Sequence, residues 1–517
     1  MATPPMPPSP PPPPPPPRVP PPQGWVILDR VALVSEDSAE DAAAPRGATA
    51  ALVAPPRVTN LTLPTRFHPN PAEFDRHPYV LAADQEAGIL LNVGKSPFVG
   101  VDRPPPPPPP PKPTSRLLLV RDFLPAEPGH RDAPTGSCVV TIPSAAPREL
   151  TNLKALGLIS FPGSGGVDYL LAELRVNPGV NHAKLLSFRS GSAAWTEKSM
   201  TRPDMAGRTS PCWGWSSDCV IAHDGRLWWV NLQRGLLSCD PFQDTPQLRL
   251  DDLPETISDD IQVRSPRDLE EDRFVSVSRG KMRFVELTRM RTEPLEATMV
   301  VMWTLIIDPR DGFSLWKRRY ETMFGQIWKN QSYKGTKMGK ELPKLALISP
   351  TNPDVVFFLL QDKILSVNVP EGRLLNYFEH TCGPDMLGHQ PTPQPPMSWR
   401  YIVAWELPLS LSTRGQHCRV PSVLRNKTLQ LKRAEYALKL LRDDSLTRLE
   451  EGLLLRNDKK NSLFSFWLPY MRCRSAVSAS ETAGLGDTTA TVTVERNSVQ
   501  GMLVWLEQNA LFSDWCR

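Results

Sequence analysis

The segment RLWWVNLQRG, residues 226–235, is the strongest indication of the fold class. In an extended strand, Leu227 and Trp229 point to one face. Trp228 and Val230 then point to the other face, so the strand is apolar on both sides. Such a strand has to be covered on both faces, as it is in the stacked sheets of a β-propeller. We therefore interpret these tryptophans as core residues and not as a binding surface.

A strand–turn unit of this kind recurs along the chain. Lys363–Gly372 (KILSVNVPEG) repeats the order of a basic residue, an aliphatic residue, two variable residues, Val-Asn-aliphatic, two turn residues and Gly. Lys281–Leu287 and Lys184–Gly191 are weaker copies. The dipeptide Asp224-Gly225 suits the tight turn before the first copy, because glycine adopts positive φ at little cost. Propeller blades repeat about every 40–50 residues, whereas the spacing of these copies is irregular.

The wider sequence predicts a mainly β protein. From about residue 115 to 410, short apolar runs alternate with Gly, Asp, Asn and Pro turns, without long helical periodicity. The predicted fold is a β-propeller-like repeat of short antiparallel strands, with a Pro-rich disordered N-terminus and a helical C-terminal tail. The predicted regions are a disordered N-terminus (1–22), an N-terminal β segment of the main domain (23–101), a polyproline insertion (102–114), the propeller-like domain (115–410) and a helical, partly disordered C-terminal extension (411–517).

Composition limits the classes of partner and compartment. The net charge of +4 is small for 517 residues, so we expect no nucleic acid partner. Eight scattered cysteines without CxxC spacing argue against a disulfide scaffold or a zinc finger. Residues 1–22 are almost pure proline and lack the apolar segment of a secretory signal, and no apolar run approaches the roughly 20 residues that span a bilayer. We expect a protein of the cytoplasm, the nucleus or both, without a membrane partner.

Complete catalytic, metal or cofactor motifs are absent from the sequence. Gly335–Lys340 (GTKMGK) resembles a phosphate-binding loop, but it is one residue too short and Glu341 replaces the magnesium-binding Ser or Thr. His380-x-Cys382 is the closest pair of soft metal ligands. Tetrahedral zinc needs ligand pairs such as CxxC or HxxxH, whose spacing brings the side chains to a common point. We therefore expect no enzyme activity, no metal and no cofactor. The acidic pairs at 251–252 and 270–271 are predicted to be solvated.

Four basic residues are the candidate interaction surface. Arg226 and Arg234 flank the WWVNL strand at its two turns, where exposed contacts are expected. Arg103 and Lys112 border the second proline run and fit the charge preference of a domain that reads polyproline helices. The opposing interpretation is a low-complexity run without a partner.

The stretch 224–241 (DGRLWWVNLQRGLLSCDP) resembles a plant family, expanded in grasses, known as domain of unknown function 1618. The positions that carry the resemblance are Trp229, Val230, Asn231, Leu232, Arg234, Gly235, Leu237, Cys239, Asp240 and Pro241. Trp25–Val34 and Trp399–Trp405 are also similar to that family, so the resemblance covers about residues 24–410. It implies no activity, and we interpret the motif as structural.

The predicted function is a non-enzymatic protein–protein interaction module that binds a protein partner through turns at one mouth of the propeller. The alternative is a propeller-fold enzyme, or a protein that binds a small molecule or glycan, because fold does not determine function. Converging Asp, Glu or His side chains at the central channel would favour that alternative. A weaker alternative is a substrate adaptor in ubiquitin transfer, by analogy with the β-rich domains that follow F-boxes in plant proteins.

Overall fold

The computed structural model describes residues 24–35, 47–67, 78–94, 116–123, 137–144, 150–163, 166–177, 180, 182–201, 214–254, 266–288, 293–308, 314–380 and 401–411. The chain divides into two compact units, Met1–Pro421 and Ser422–Arg517, and every described residue belongs to the first. The predicted disordered N-terminus (1–22), the polyproline insertion (102–114) and residues 412–517 of the predicted helical extension lie outside the described residues.

The described residues are mainly β, as predicted. In chain order the strands are β1 (Trp25–Asp29), β2 (Leu33–Ser35), β3 (Thr49–Ala50), β4 (Val58–Thr59), β5 (Leu61–Pro64), β6 (Tyr79–Asp84), β7 (Gly88–Val93), β8 (Arg116–Arg121), β9 (Cys138–Thr141), β10 (Leu156–Pro162), β11 (Val167–Arg175), β12 (His182–Arg189), β13 (Thr196–Thr201), β14 (Cys219–His223), β15 (Arg226–Asn231), β16 (Gly235–Cys239), β17 (Arg249–Asp251), β18 (Arg273–Ser278), β19 (Lys281–Thr288), β20 (Met299–Ile307), β21 (Ser314–Met323), β22 (Lys344–Ile348), β23 (Val355–Leu360), β24 (Lys363–Asn368), β25 (Arg373–Glu379) and β26 (Ile402–Glu406).

Helices are few and short in the described part of the chain. The α-helices are α1 (Pro266–Asp272), α2 (Phe324–Lys329) and α3 (Gln331–Lys334). Single 3-10 turns cover Thr65–Phe67, Leu153–Ala155 and Leu295–Ala297. None of the described helices is long and apolar enough to cross a membrane.

The strands form seven small sheets in a β-propeller arrangement. Five sheets are four-stranded antiparallel meanders, in which each strand pairs with its neighbours in sequence: β6–β9, β10–β13, β14–β17, β18–β21 and β22–β25. The other two sheets have three strands each, in the orders β26-β1-β4 and β2-β5-β3. These two sheets also contain parallel pairs, β1 with β4 and β2 with β5.

The first strands of the meanders surround a common axis. β6 contacts β10, β10 contacts β14, β14 contacts β18, and β18 contacts β22. β26 contacts both β22 and β6, and its antiparallel pairing with β1 joins the two ends of the described chain, Trp25 opposite Glu406. We call the end of the axis where these first strands begin the upper end, and the end where they stop the lower end.

Apolar side chains fill the space between neighbouring sheets. Leu227 and Trp229 of β15 pack against the β10–β13 sheet, whereas Trp228 and Val230 pack against the β18–β21 sheet. Both tryptophans are fully buried. The prediction of a strand covered on both faces is confirmed, and burial of this much apolar surface is the main stabilising contribution to the stack.

The repeated unit marks a type of hairpin and not a fixed position in a sheet. Asp224 and Gly225 have φ of 51° and 72°, as the tight turn requires, and the same turn recurs at Arg279-Gly280. β15 and β19, which follow these turns, are second strands of their sheets. β24 and β12 carry the other two copies and are third strands. This difference in position explains the irregular spacing of the repeat.

Candidate functional site

A pocket of about 170 Å³ opens at the loop between β15 and β16, inside the family motif. We call it the turn pocket. Its lining residues are Gly214, Ser216, Asp218, Asn231, Leu232, Gln233, Arg234 and Leu269. Because β14 begins at Cys219 and pairs there with Val230, the loop lies at the upper end of the axis. The pocket therefore lies among the connections between sheets, at one mouth of the propeller.

Asn231 shapes the loop of the turn pocket. Its side-chain oxygen accepts hydrogen bonds from the backbone N–H groups of Gln233 (3.0 Å) and Arg234 (2.9 Å). Its side-chain amide donates to the carbonyl of Ser216 at 2.7 Å. Asparagine is favoured in such turns because its short side chain bonds to the backbone two and three residues on. The Asn position of the motif thus holds both sides of the pocket together.

Gly235 closes the loop under two constraints. Its φ is 144°, in a region that L side chains rarely adopt. A Cβ at this position would lie 2.6 Å from the carbonyl oxygen of Asp251 on β17. Both the backbone conformation and the close approach of β17 therefore require glycine.

Arg273 of the next sheet, which is held in a buried ion pair, forms a hydrogen bond to the floor of the turn pocket. The Leu232 N–H donates to Asp218 Oδ2 at 2.8 Å, and the Leu232 carbonyl accepts from Arg273 Nη1 at 2.7 Å. Arg273 Nε and Nη2 both donate to Glu286 Oε1, at 2.8 and 2.7 Å. Arg273 and Glu286 are almost completely buried, so this pair fixes the floor from below.

The two arginines predicted as contacts lie at opposite ends of β15. Arg234 is exposed at the rim of the turn pocket, and its Nη1 donates to the carbonyl of Gly214 at 2.9 Å. Arg226 is half-buried beside the lower turn, with Nη2 3.3 Å from Ser238 Oγ. One extended strand separates them, so they do not form a common surface. Arg103 and Lys112 lie outside the described residues.

Most other motif residues are buried. Trp229 donates from Nε1 to the carbonyl of Ala155 at 2.8 Å, which satisfies the indole N–H inside the core. Burial raises the pKa of the Cys239 thiol to about 12. Asp240 Oδ1 accepts from the N–H of Phe242 at 2.9 Å and shapes the next turn, beside the buried Pro241.

The acidic pairs were predicted to be solvated, and for two of their residues this is wrong. Asp251 is buried and accepts from Arg249 Nη2 at 2.6 Å. Glu270 is also buried, in α1 at the upper end. In the sequence both acids lie in polar stretches, and their burial depends on the strands that pack around them in the fold.

A group of buried charges lies at the upper end, and sequence reasoning missed it. Asp29 and Arg30 are buried, and Arg30 Nη1 donates to the carbonyl of Val80 at 2.8 Å. His380 Nε2 is 3.6 Å from Asp29 Oδ2. These residues come from β1, from β6 and from the end of β25, and no local sequence pattern reports that they are close together.

Cys219 lies close to this group but is a poor nucleophile. Burial raises the pKa of its thiol to about 12, with further upward contributions from Asp218 and Glu270 and an opposing one from Arg30. A thiol with this pKa is protonated at neutral pH and does not attack. Among the described residues no three His, Cys, Asp or Glu side chains are placed to hold a metal. His380 is described, whereas Cys382 lies outside the described residues.

The comparisons with known proteins identify the family of the motif. Residues 229–357 match the family described as a protein of unknown function, DUF1618. The predicted similarity to this family is confirmed over these residues. The DUF1618 match begins at Trp229 on β15 and ends on β23, so it contains part of the turn pocket and the whole β18–β21 sheet. The predicted plant origin stays a prediction.

Other comparisons add little to the DUF1618 match. The solved structure of apo AztD from Citrobacter koseri is similar at 16% sequence identity, with a TM-score of 0.23, over 56% of this chain. The matched part spans 60% of that chain. No curated protein sequence matches this one with significance.

Proposed function

We propose that this protein is a non-enzymatic protein–protein interaction module that binds its partner at the upper end of the propeller, through the turn pocket. The proposal is supported by the position of the pocket, which motif residues line in part and whose rim bears exposed Gln233 and Arg234. Binding residues are often carried by loops that a rigid scaffold holds in place.

The size and lining of the turn pocket indicate the type of group that it takes. Sites for drug-sized molecules usually have volumes of roughly 300–1,000 Å³. The turn pocket has about 170 Å³, which suits one inserted side chain. Buried Leu232 and Leu269 offer an apolar floor, while Arg234 and Gln233 offer hydrogen-bond donors at the rim. A side chain with an apolar stem and a carboxylate or amide end, such as Glu or Gln of a partner, fits this lining.

Quantitative affinity capture with the full-length chain tests the proposal. Arg234→Glu reverses the charge at the rim, and we expect it to reduce the captured partner at least about tenfold, as for a contact at the centre of an interface. Arg373→Glu is the matched control, because Arg373 is an exposed strand arginine that pairs with exposed Glu371. Equal loss with both variants, or retention of every partner by Arg234→Glu, would contradict the proposal. Thermal melting of both variants shows that each is folded.

The proline run bordered by Arg103 and Lys112 is proposed as a second contact, for a domain that reads polyproline helices. The test is capture with a chain that lacks residues 102–114. Loss of a subset of partners supports the second contact. Unchanged capture, with binding still sensitive to Arg234→Glu, leaves the turn pocket as the sole contact.

We also propose a plant cytoplasmic or nuclear location, which rests on composition and on the family resemblance. A fluorescent fusion of the full chain in plant cells tests it. Signal in the secretory pathway would contradict it.

A second candidate function is binding of a small molecule or glycan at the upper mouth of the axis. It is favoured by the buried carboxylate of Asp29 and the imidazole of His380, 3.6 Å apart, beside Arg30. A screen of metabolites and oligosaccharides by thermal shift tests it. A ligand whose effect disappears with Asp29→Asn but persists with Arg234→Glu would favour this candidate over the first.

A further inference from the structure

A buried arginine on β19 lacks a carboxylate partner. Arg283 is 5% exposed. Its Nη1 donates to Thr304 Oγ1, and its Nε has no hydrogen-bond acceptor among the described residues. None of the ion pairs in the described part of the chain includes it. A buried guanidinium with one neutral acceptor is costly, because its desolvation is not offset by an opposite charge.

A second buried polar atom lacks a partner beside Arg283. The register of β18 with β19 places Ser276 directly opposite Arg283, on the same face of the sheet. Ser276 Oγ is buried and makes no hydrogen bond within the described structure. Two neighbouring unsatisfied donors, one of them cationic, are the pattern expected where an anion completes the site.

The charges around Arg283 are predominantly positive. Burial lowers the pKa of the Arg283 guanidinium most, and Arg319 and Arg279 lower it further, while Tyr320 and Asp354 act in the opposite sense. Arg319 forms an ion pair with Asp354 at 2.9 Å. Three guanidinium groups and one carboxylate leave an excess of two positive charges (3 − 1 = 2).

A β-bulge directs Arg319 towards this place. On β21, Arg318 lies opposite Trp303 and Tyr320 lies opposite Met302, so Arg319 is the additional residue between them. A bulge re-aims a side chain out of the regular alternation of a strand. Arg319 thereby reaches Asp354, which lies in the neighbouring sheet on the connection between β22 and β23.

We propose that the lower part of the boundary between the β18–β21 and β22–β25 sheets binds a divalent oxyanion of the phosphate class through Arg283, Ser276 and Arg319. A tetrahedral dianion matches the excess of two positive charges and offers acceptors to both unsatisfied donors. Arg279 at the lower turn and Arg319 on the outer strand are exposed, so they form the approach to Arg283.

The site is distinct from the turn pocket. Arg279 belongs to the β18–β19 turn, and its N–H donates to the Pro350 carbonyl of the β22–β23 connection at 2.7 Å. Both connections lie at the lower end, whereas the turn pocket lies at the upper end. Oxyanion binding therefore stands independently of partner binding at Arg234.

The experiment is calorimetric titration of the full-length chain with inorganic phosphate at constant ionic strength, followed by sulfate and acetate. We expect saturable binding of phosphate and sulfate and none of monovalent acetate. Arg283→Met should abolish binding, and Arg319→Gln should weaken it about tenfold, as loss of one charged hydrogen bond predicts. Asp354→Asn should tighten it, because it removes the competing carboxylate.

Thermal melting separates ligand binding from a purely structural role of Arg283. In phosphate-free buffer Arg283→Met should melt at the same temperature as the parent or higher, because an apolar side chain replaces an unpaired buried cation. Phosphate should raise the melting temperature of the parent and of Arg373→Gln, the exposed control, but not of Arg283→Met. Absence of saturable phosphate binding to the parent, or equal phosphate response in Arg283→Met, overturns the proposal.

Discussion

Arg273 and Arg283 lie on paired strands of one sheet, and their surroundings differ. Arg273 is 2% exposed and gives two hydrogen bonds to Glu286 and one to a backbone carbonyl. Arg283 is similarly buried and gives one hydrogen bond, to a threonine hydroxyl. The first cation is neutralised inside the protein, and the second is not.

The cross-strand register produces this difference. Arg273 lies opposite Glu286, and Arg283 lies opposite Ser276 on one side and Thr304 on the other. Directly opposite side chains are the closest neighbours in an antiparallel pair. The residue directly opposite therefore decides whether a buried arginine of this sheet forms an ion pair or keeps unsatisfied hydrogen-bond donors.

The largest effect on stability is expected when the ion pair between Arg273 and Glu286 is broken. Glu286→Gln should leave Arg273 buried without its counter-charge and destabilise the protein by about 3–5 kcal/mol. The measurement is the free energy of unfolding from urea denaturation. A loss below about 1 kcal/mol would show that the pair is solvated, contrary to its burial.

A carboxylate placed beside Arg283 should form a buried ion pair with it, like the pair between Arg273 and Glu286. Ser276→Asp places a carboxylate opposite Arg283, and we expect stabilisation of about 1–2 kcal/mol, as for a hydrogen bond to a charged group. The same change should remove the phosphate response. Ser276→Asn is the matched control, with the same shape and no charge. Stabilisation by Asn as large as that by Asp would exclude an electrostatic cause.

Removing the acceptor of Arg283 should have a smaller effect. Thr304→Val deletes the hydroxyl with little change in volume and should destabilise by about 1 kcal/mol. In the Arg283→Met background the effect of Thr304→Val should nearly vanish. A double-mutant cycle of unfolding free energies measures this coupling, and additive effects would show that the two side chains do not interact.

The smallest effect is expected for an exposed pair of the same sheet. Arg318 and Glu321 form a 2.8 Å ion pair in which both side chains are about half exposed. Glu321→Gln should change the unfolding free energy by less than about 0.5 kcal/mol, because solvent screens the pair. A change comparable to that of Glu286→Gln would mean that burial does not decide the value of an ion pair here.

Local chemistry made the β15 region predictable. The alternation of Leu227 and Trp229 with Trp228 and Val230 is a property of the chain itself, and it correctly indicated two buried faces. The turn at Asp224-Gly225 was predictable for the same reason, since positive φ limits the residues that fit. The pairing of β1 with β26 had no such signal, because it joins the two ends of the described chain.

The candidate sites were predicted less completely. Arg234 was identified from its place beside a turn, whereas the pocket around it also needs Gly214 to Asp218 and Leu269, which other segments supply. Asp251 and Glu270 resembled solvated acids, since nothing in a run of polar residues reports a neighbour on another strand. Nothing in the sequence indicated that Arg283 is buried, because basic residues also occur at the half-exposed positions of apolar strands.

The family motif, the hairpin turn at Asp224-Gly225 and the two apolar faces of β15 could be predicted from the sequence, because each depends on neighbours within a few residues. The tertiary structure alone decided which charged side chains are buried and which of them meet an opposite charge. That outcome depends on register between strands and on the packing of one sheet against the next. A guanidinium opposite Glu286 became an ion pair, and a guanidinium opposite Ser276 became the proposed oxyanion site.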